Sequence, residues 1–125
     1  MVTIKSYTDI EQSKKLAKIL PLESADMWHH GFFNPSRMCK IEYNPPAPYH
    51  SVTHQLDCPC WSLAALLGII RKTIGYALCG VDNYVYMSCD LGNKPWKLET
   101  ELYDNEVDAC YQMIIRLNEL NLLRL

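Results

Sequence analysis

The clearest hydrophobic pattern in the chain is helical and lies toward its C-terminal end. Apolar residues recur at three- and four-residue spacing from Val107 to Leu120, the period of a helix with one buried side. Asn105 is a favoured N-cap residue, and Glu106 and Asp108 place negative charge in the first turn, where the helix dipole favours it. The pattern therefore predicts a C-terminal helix that begins after Asn105.

A second helical pattern lies near the N-terminus, from Thr8 or Asp9 to Leu20. Thr8 and Glu11 have the spacing of a capping box, and Pro21 is expected to end the helix. A stripe of apolar residues is predicted to face the core, while three lysines face solvent. The stripe consists of Ile10, Leu16, Ala17, Ile19 and Leu20.

A central helix is predicted from Pro59 to about Lys72. Proline is favoured at the first helical position, and Asp57 or Cys58 would provide the cap. Between positions 61 and 70 the segment is apolar on nearly every side, which is typical of a buried helix.

Period-two alternation and turn residues predict strands between these helices. Turns are expected at Asn34-Pro35-Ser36 and at Asp82-Asn83. The predicted strands are Ala25–His30, Arg37–Tyr43, Thr73–Gly80, Tyr84–Asp90 and, with a slip in its register, Pro95–Tyr103. The order α-ββ-α-ββ(β)-α predicts an α+β fold in which an antiparallel sheet packs on three helices.

Composition and charge narrow the class of protein. The 125 residues are 49% hydrophobic and 21% charged, which suits a single globular domain spanning residues 1–125. The net charge of −2 disfavours nucleic-acid binding through phosphate neutralisation. The longest apolar stretch, Leu63–Ile70, covers about half of the ~20 residues that span a bilayer, so no membrane segment is predicted.

The N-terminal residues show no apolar core of a secretory signal. We therefore expect a cytoplasmic protein whose six cysteines are reduced thiols. Most of these cysteines are expected to be small apolar side chains of the core.

One group of residues has the chemistry of a metal site. His50, His54, Cys58 and Cys60 offer four nitrogen and sulfur donors within eleven residues, and zinc prefers four such donors. Their spacing is unusual, because a single proline separates the two cysteines. The same residues allow a thiol hypothesis, in which a cysteine in the first turn of the central helix is activated by the helix dipole and by His54.

The aromatic segment at the end of the first predicted strand, before the predicted turn, is a candidate partner surface. It contains Trp28, His29, His30, Phe32 and Phe33. Exposed aromatic residues beside histidine are suited to binding a protein or stacking on bases. The alternative is that Trp28 and Phe32 pack against the first helix while the histidines face water.

Two other segments bear on partners. The proline-rich stretch 44–57 is long for a loop in a small domain, and long loops often carry function. The terminal leucines Leu122, Leu123 and Leu125 form an apolar tail that could dock on the core or on a second copy, so a homo-oligomer is one candidate assembly.

Several blocks of the sequence resemble a family. They are residues 13–17, 20–27, 60–67, 103–105 and 109–115, which include Cys60-Trp61-Ser62-Leu63 and Tyr103-Asp104-Asn105. Together they are similar to small proteins of gut Bacteroidales and of their phages or mobile elements. The resemblance implies a bacterial or phage cytoplasm, but that family brings no established activity or catalytic residues. Its pattern does not include His50, His54 or Cys58.

These observations favour a small non-enzymatic accessory or interaction protein, with no catalytic residues assigned and no cofactor required. An unidentified protein is the expected partner. The alternative is a metal- or thiol-dependent enzyme, or a zinc-stabilised module, that uses His50, His54, Cys58 and Cys60.

Overall fold

The structure is a computed structural model that describes residues 5–30, 40–43, 58–92 and 97–124. Within these ranges the chain forms three α-helices and six strands. In chain order they are α1 (Ile10–Ala17), β1 (Met27–His30), β2 (Lys40–Tyr43), β3 (Cys58–Cys60), α2 (Leu63–Thr73), β4 (Tyr76–Val81), β5 (Tyr84–Asp90), β6 (Lys97–Glu99) and α3 (Glu106–Glu119). None of the described helices is both long and apolar enough to cross a membrane.

All of the strand pairs are antiparallel, and they form two sheets of three strands each. The first sheet has the order β2-β1-β3 and the second the order β4-β5-β6. The predicted α+β class and the predicted succession of helices and strand pairs are confirmed. The structure adds one strand, β3, in residues that were predicted to begin the central helix.

Helix α1 is capped one residue later than predicted. The Asp9 carboxylate accepts from the Gln12 backbone N–H at 2.8 Å, and the Gln12 side chain accepts from the Asp9 N–H at 3.1 Å. The predicted capping box of Thr8 and Glu11 is therefore wrong. The Thr8 hydroxyl cannot serve as the cap because it faces the interior, where it accepts from the backbone N–H of Trp61 at 3.1 Å.

Helix α2 begins at Leu63, and the predicted start at Pro59 is wrong. Ser62 is the N-cap, with its hydroxyl oxygen accepting from the Ala65 N–H at 3.2 Å. The Asp26 carboxylate in turn accepts from both the N–H and the hydroxyl of Ser62. Pro59 lies in β3 opposite Trp28, at the edge of the first sheet, where a residue without an N–H is tolerated.

The register of the second sheet contains the slip that the sequence predicts. Leu98 is opposite Cys89, but Tyr103 rather than Leu102 is opposite Val85, so one extra residue lies on the β6 side, as in a β-bulge. At this point the Thr100 hydroxyl accepts from the Met87 N–H at 2.9 Å. A side chain therefore completes the hydrogen bonding that the bulge interrupts.

The main core lies where α2, α3 and the inner face of the second sheet meet. Leu16 of α1 and Leu20, which follows that helix, belong to the same core. The predicted C-terminal helix is confirmed, since Asn105 accepts from the Asp108 N–H at 2.8 Å and one side of α3 is fully buried. The buried residues of α3 are Val107, Ala109, Cys110, Met113, Ile114 and Leu117.

Candidate functional site

A group of buried polar side chains lies between α1 and the first sheet. We call Thr8, Ser13, His29 and Cys60 the buried polar cluster; each is at most 5% exposed. The Thr8 and Ser13 hydroxyls are 2.8 Å apart, and the Cys60 thiol donates to the Thr8 carbonyl at 3.4 Å. The cluster therefore joins the N-terminal segment, α1 and β3 through hydrogen bonds that water cannot easily reach.

His29 is the cluster member best suited to acid–base chemistry. Its Nε2 lies 2.9 Å from the Thr8 carbonyl oxygen, so Nε2 must carry the proton and donate. Its Nδ1 is buried and has no hydrogen-bond partner among the residues that the structure describes. Burial lowers the pKa of His29, although the Thr8 carbonyl acts in the opposite direction. His29 is thus a neutral, buried imidazole with one unused acceptor nitrogen.

The two cysteines of the predicted metal or thiol site both lie on β3. They are buried, and burial raises the pKa of Cys58 and of Cys60 to about 11. The predicted activation by the helix dipole requires a cysteine in the first turn of α2. Neither cysteine lies there, so that prediction is wrong. A thiol with this pKa is almost entirely protonated near neutral pH, which disfavours a nucleophilic role.

The predicted partners of these cysteines, His50 and His54, lie outside the described residues. Among the residues that are described, no group of three or more histidine, cysteine, aspartate or glutamate side chains is arranged to hold a metal ion. The zinc site of His50, His54, Cys58 and Cys60 therefore stays a prediction.

The aromatic segment that was predicted as a partner surface begins in β1. Trp28 is 7% exposed and His29 is 5% exposed, so both belong to the interior. The ring of Tyr7 packs edge-on against that of His29, with centroids 5.9 Å apart. The His30 side chain and residues Phe32 and Phe33 lie outside what the structure describes, and their part in a partner surface stays a prediction.

The second sheet presents a different apolar surface. Met87 and Cys89 of β5 point into the core, so the alternating residues Tyr84 and Tyr86 belong to the opposite, outer face. Val81 is paired with Tyr84, and the register after the bulge places Leu102 next to Tyr86. We call these four residues, Val81, Tyr84, Tyr86 and Leu102, the outer-face stripe.

Three members of the stripe are unusually exposed for large apolar side chains. Val81 is 45% exposed, and Tyr84 and Leu102 are each 50% exposed. Exposed acidic residues border the stripe at Asp82 and at Glu99, which is paired with the outer-face residue Ser88. The combination of a contiguous apolar centre with an acidic rim is typical of a surface that is covered by another molecule.

A polar pocket of about 440 Å³ lies between α3 and the segment that follows β6, on the helix side of the second sheet. Arg116 already donates to the Glu99 carbonyl oxygen at 2.5 Å, and burial raises the pKa of Tyr103. Among the described residues, the lining includes no thiol, imidazole or serine hydroxyl, so it lacks the Ser–His or Cys–His pair of common nucleophilic sites. The lining residues are Glu101, Tyr103, Gln112, Arg116 and Glu119.

Sequence reasoning did not select the outer-face stripe. The alternation of Tyr84 and Tyr86 with Val85 and Met87 identifies a two-faced strand, but it does not say which face the helices cover. That choice depends on tertiary packing.

Comparisons with known proteins give no further guidance. No known protein family, curated protein or solved structure matches this chain. Function must therefore be inferred from the geometry of the described residues.

Proposed function

We propose that this chain is a small interaction protein, and that its partner is a protein that binds the outer-face stripe. The observation that carries the proposal is the exposure of Val81, Tyr84 and Leu102 on the side of the second sheet that faces away from the helices. Tyrosine is among the residues that contribute most to binding at protein interfaces.

The surrounding charge indicates what the partner's surface is like. Asp82 and Glu99 are exposed near the stripe, while the one lysine of β6, Lys97, lies opposite Asp90 at the far end of the ladder. A complementary partner would present an apolar centre and a basic rim. A polyanionic nucleic acid would be repelled by the same rim.

The buried polar cluster supports a non-enzymatic role. Burial raises the pKa of its one thiol, Cys60, and its members bond to one another within the interior. The resemblance to small proteins of gut Bacteroidales and their phages supports a bacterial or phage cytoplasm as the setting in which this accessory role operates.

The proposal is tested by changing the stripe and a matched apolar residue elsewhere. In the double variant Tyr84→Ser/Leu102→Ser the two most exposed members are removed. Leu22→Ser is the control, because Leu22 is also 50% exposed but precedes the first sheet. Immobilised chains are used to isolate a partner from the native host, and the purified partner is titrated against each variant.

We expect the double variant to bind the purified partner at least tenfold more weakly, since hot-spot residues typically contribute about 2 kcal/mol or more. The Leu22→Ser variant should bind like the unmodified chain. Equal binding by the double variant and the unmodified chain, with circular dichroism showing that both are folded, would contradict the proposal.

A further inference from the structure

Strand β4 is an edge strand of the second sheet as far as the described residues show. Within the described part of the chain it is hydrogen-bonded to β5 alone and lies at the end of the order β4-β5-β6. The Asp90 N–H donates to the Gly75 carbonyl oxygen at 3.2 Å, which fixes the phase of the ladder. Because hydrogen-bonding direction alternates along an antiparallel strand, the main-chain groups of Tyr76, Leu78 and Gly80 point away from β5.

This edge lacks the features that normally prevent strands from joining. Folded proteins protect exposed edges with charged residues, prolines, bulges or very short strands. Strand β4 is six residues long with the sequence YALCGV, and its register with β5 is continuous. It therefore has no charge, no proline and no bulge, and it carries the exposed Val81 at one end.

We propose that β4 pairs with β4 of a second copy of this chain, in antiparallel orientation about a two-fold axis at Cys79. In this register Leu78 is opposite Gly80 of the second copy, and their outward main-chain groups can bond to one another. Ala77 is opposite Val81 of the second copy on the outer face, so the pairing places a second apolar side chain beside Val81.

The charges that flank β4 favour antiparallel over parallel pairing of the two copies. Exposed Arg71 and Lys72 close α2 just before the strand, and exposed Asp82 follows it. Antiparallel pairing brings the basic end of one copy toward the acidic end of the other at both ends of the ladder. Parallel pairing would bring like charges together.

The dimer goes beyond the proposed function because it changes the form of the binding surface. A two-fold axis perpendicular to the sheet keeps the outer faces on the same side. The two second sheets then become one six-stranded sheet that displays two outer-face stripes, and a partner with two matching sites would gain from bivalent binding.

A charge-pairing experiment tests the orientation. Ala77 and Val81 are exposed, so Ala77→Lys/Val81→Lys and Ala77→Glu/Val81→Glu should both fold. Sedimentation equilibrium should give twice the chain mass of 14.4 kDa for the unmodified chain and 14.4 kDa for each variant alone. Mixing the two variants should restore the dimer, because each lysine then faces a glutamate.

A cross-linking experiment tests the register. Cys79 of each copy should face its counterpart at a pair that is not hydrogen-bonded, where cross-strand Cβ atoms lie about 4.5–5.5 Å apart. Cys39 lies outside the described residues, so it is replaced by serine in every chain used here. In this Cys39→Ser background, copper–phenanthroline should oxidise the two Cys79 thiols to one intermolecular disulfide, with the metal reagent and oxygen accepting the electrons. The Cys79→Ser version is the control and should stay uncross-linked.

Three results would overturn the dimer: an unmodified chain that sediments at the monomer mass, charge variants that remain dimeric when alone, or cross-linking that persists in Cys79→Ser. The proposed function fails separately, because its test changes Tyr84 and Leu102, which lie outside β4. A monomer that still loses its partner in Tyr84→Ser/Leu102→Ser would overturn the dimer and keep the binding surface.

Discussion

At the scale of single residues, burial makes the protonation of His29 depend on whether the chain is folded. Its Nε2–H donates to the Thr8 carbonyl, while its Nδ1 has no hydrogen-bond partner within the described part of the chain. Burial lowers the pKa of His29 in the folded chain, whereas the unfolded chain should have the ordinary value of about 6.5. Below this ordinary value the unfolded state binds a proton that the folded state does not.

His29 should therefore make stability depend on pH. The free energy of unfolding should fall as pH drops below about 6.5, and it should level off once the pH is below the lowered pKa of the folded state. His29→Gln removes this titration while keeping an amide that can donate to Thr8. Urea unfolding from pH 7.5 to 5 measures both chains, and the variant should show the flatter profile.

The carboxylates that the unmodified chain and the His29→Gln variant have in common provide the internal control for this comparison. Burial acts to raise the pKa of Asp108, but hydrogen bonds from Lys5, Gln12 and Asn105 outweigh it and lower the pKa. The stability that Asp108 contributes is lost as pH falls through the acidic range in the unmodified chain and in His29→Gln alike. Parallel profiles for the two chains would show that His29 is not the source of the difference.

At the scale of elements, the two-residue turn between β4 and β5 is strained. Asp82 has a φ of 56°, and Asn83, the other residue of the two-residue turn, does not have a positive φ. A positive φ at the first turn position alone is typical of a type II′ turn, which favours glycine there.

Asp82→Gly should stabilise the folded chain by up to about 1 kcal/mol, because glycine adopts this conformation without steric cost. The matched variant Asn83→Gly should be neutral or destabilising, since position 83 requires no such conformation. Thermal unfolding of both variants measures the difference. A lower Tm for Asp82→Gly than for Asn83→Gly would contradict this account of the turn.

Helix α3 and the second hairpin could be predicted because their signals are local. Asn105, the acidic first turn and the apolar spacing all indicate the same helix, and Asp82-Asn83 marks a turn between two alternating segments. Strand β3 could not be predicted in this way. Three residues are too few for a period, and Pro59 is equally acceptable at the start of a helix and at a sheet edge.

The helix starts that were predicted wrongly depend on contacts between distant residues. Thr8 has the side chain of a cap, but its hydroxyl is occupied by Trp61 and Ser13. Ser62 caps α2 with the help of Asp26, which lies 36 residues earlier. The choice of outer face was also invisible to sequence reasoning, since it depends on how α2 and α3 pack on the second sheet.

At the scale of the whole molecule, the two sheets have different tasks. The first sheet is tied to α1 and α2 through the buried polar cluster and the Asp26–Ser62 contact. The second sheet uses its inner face for the core and leaves its outer face and the β4 edge uncovered in the described structure. The central claim is that the second sheet makes the contacts with other chains.

Residue-resolved amide hydrogen exchange on the free protein tests this claim most directly. The outward amides of Leu78 and Gly80 should be protected in the unmodified chain at high protein concentration. They should exchange rapidly on dilution and in Ala77→Lys/Val81→Lys. If these two amides exchange freely at every concentration, while the β4 amides that bond to β5 remain protected, the edge is not an interface and the account is contradicted.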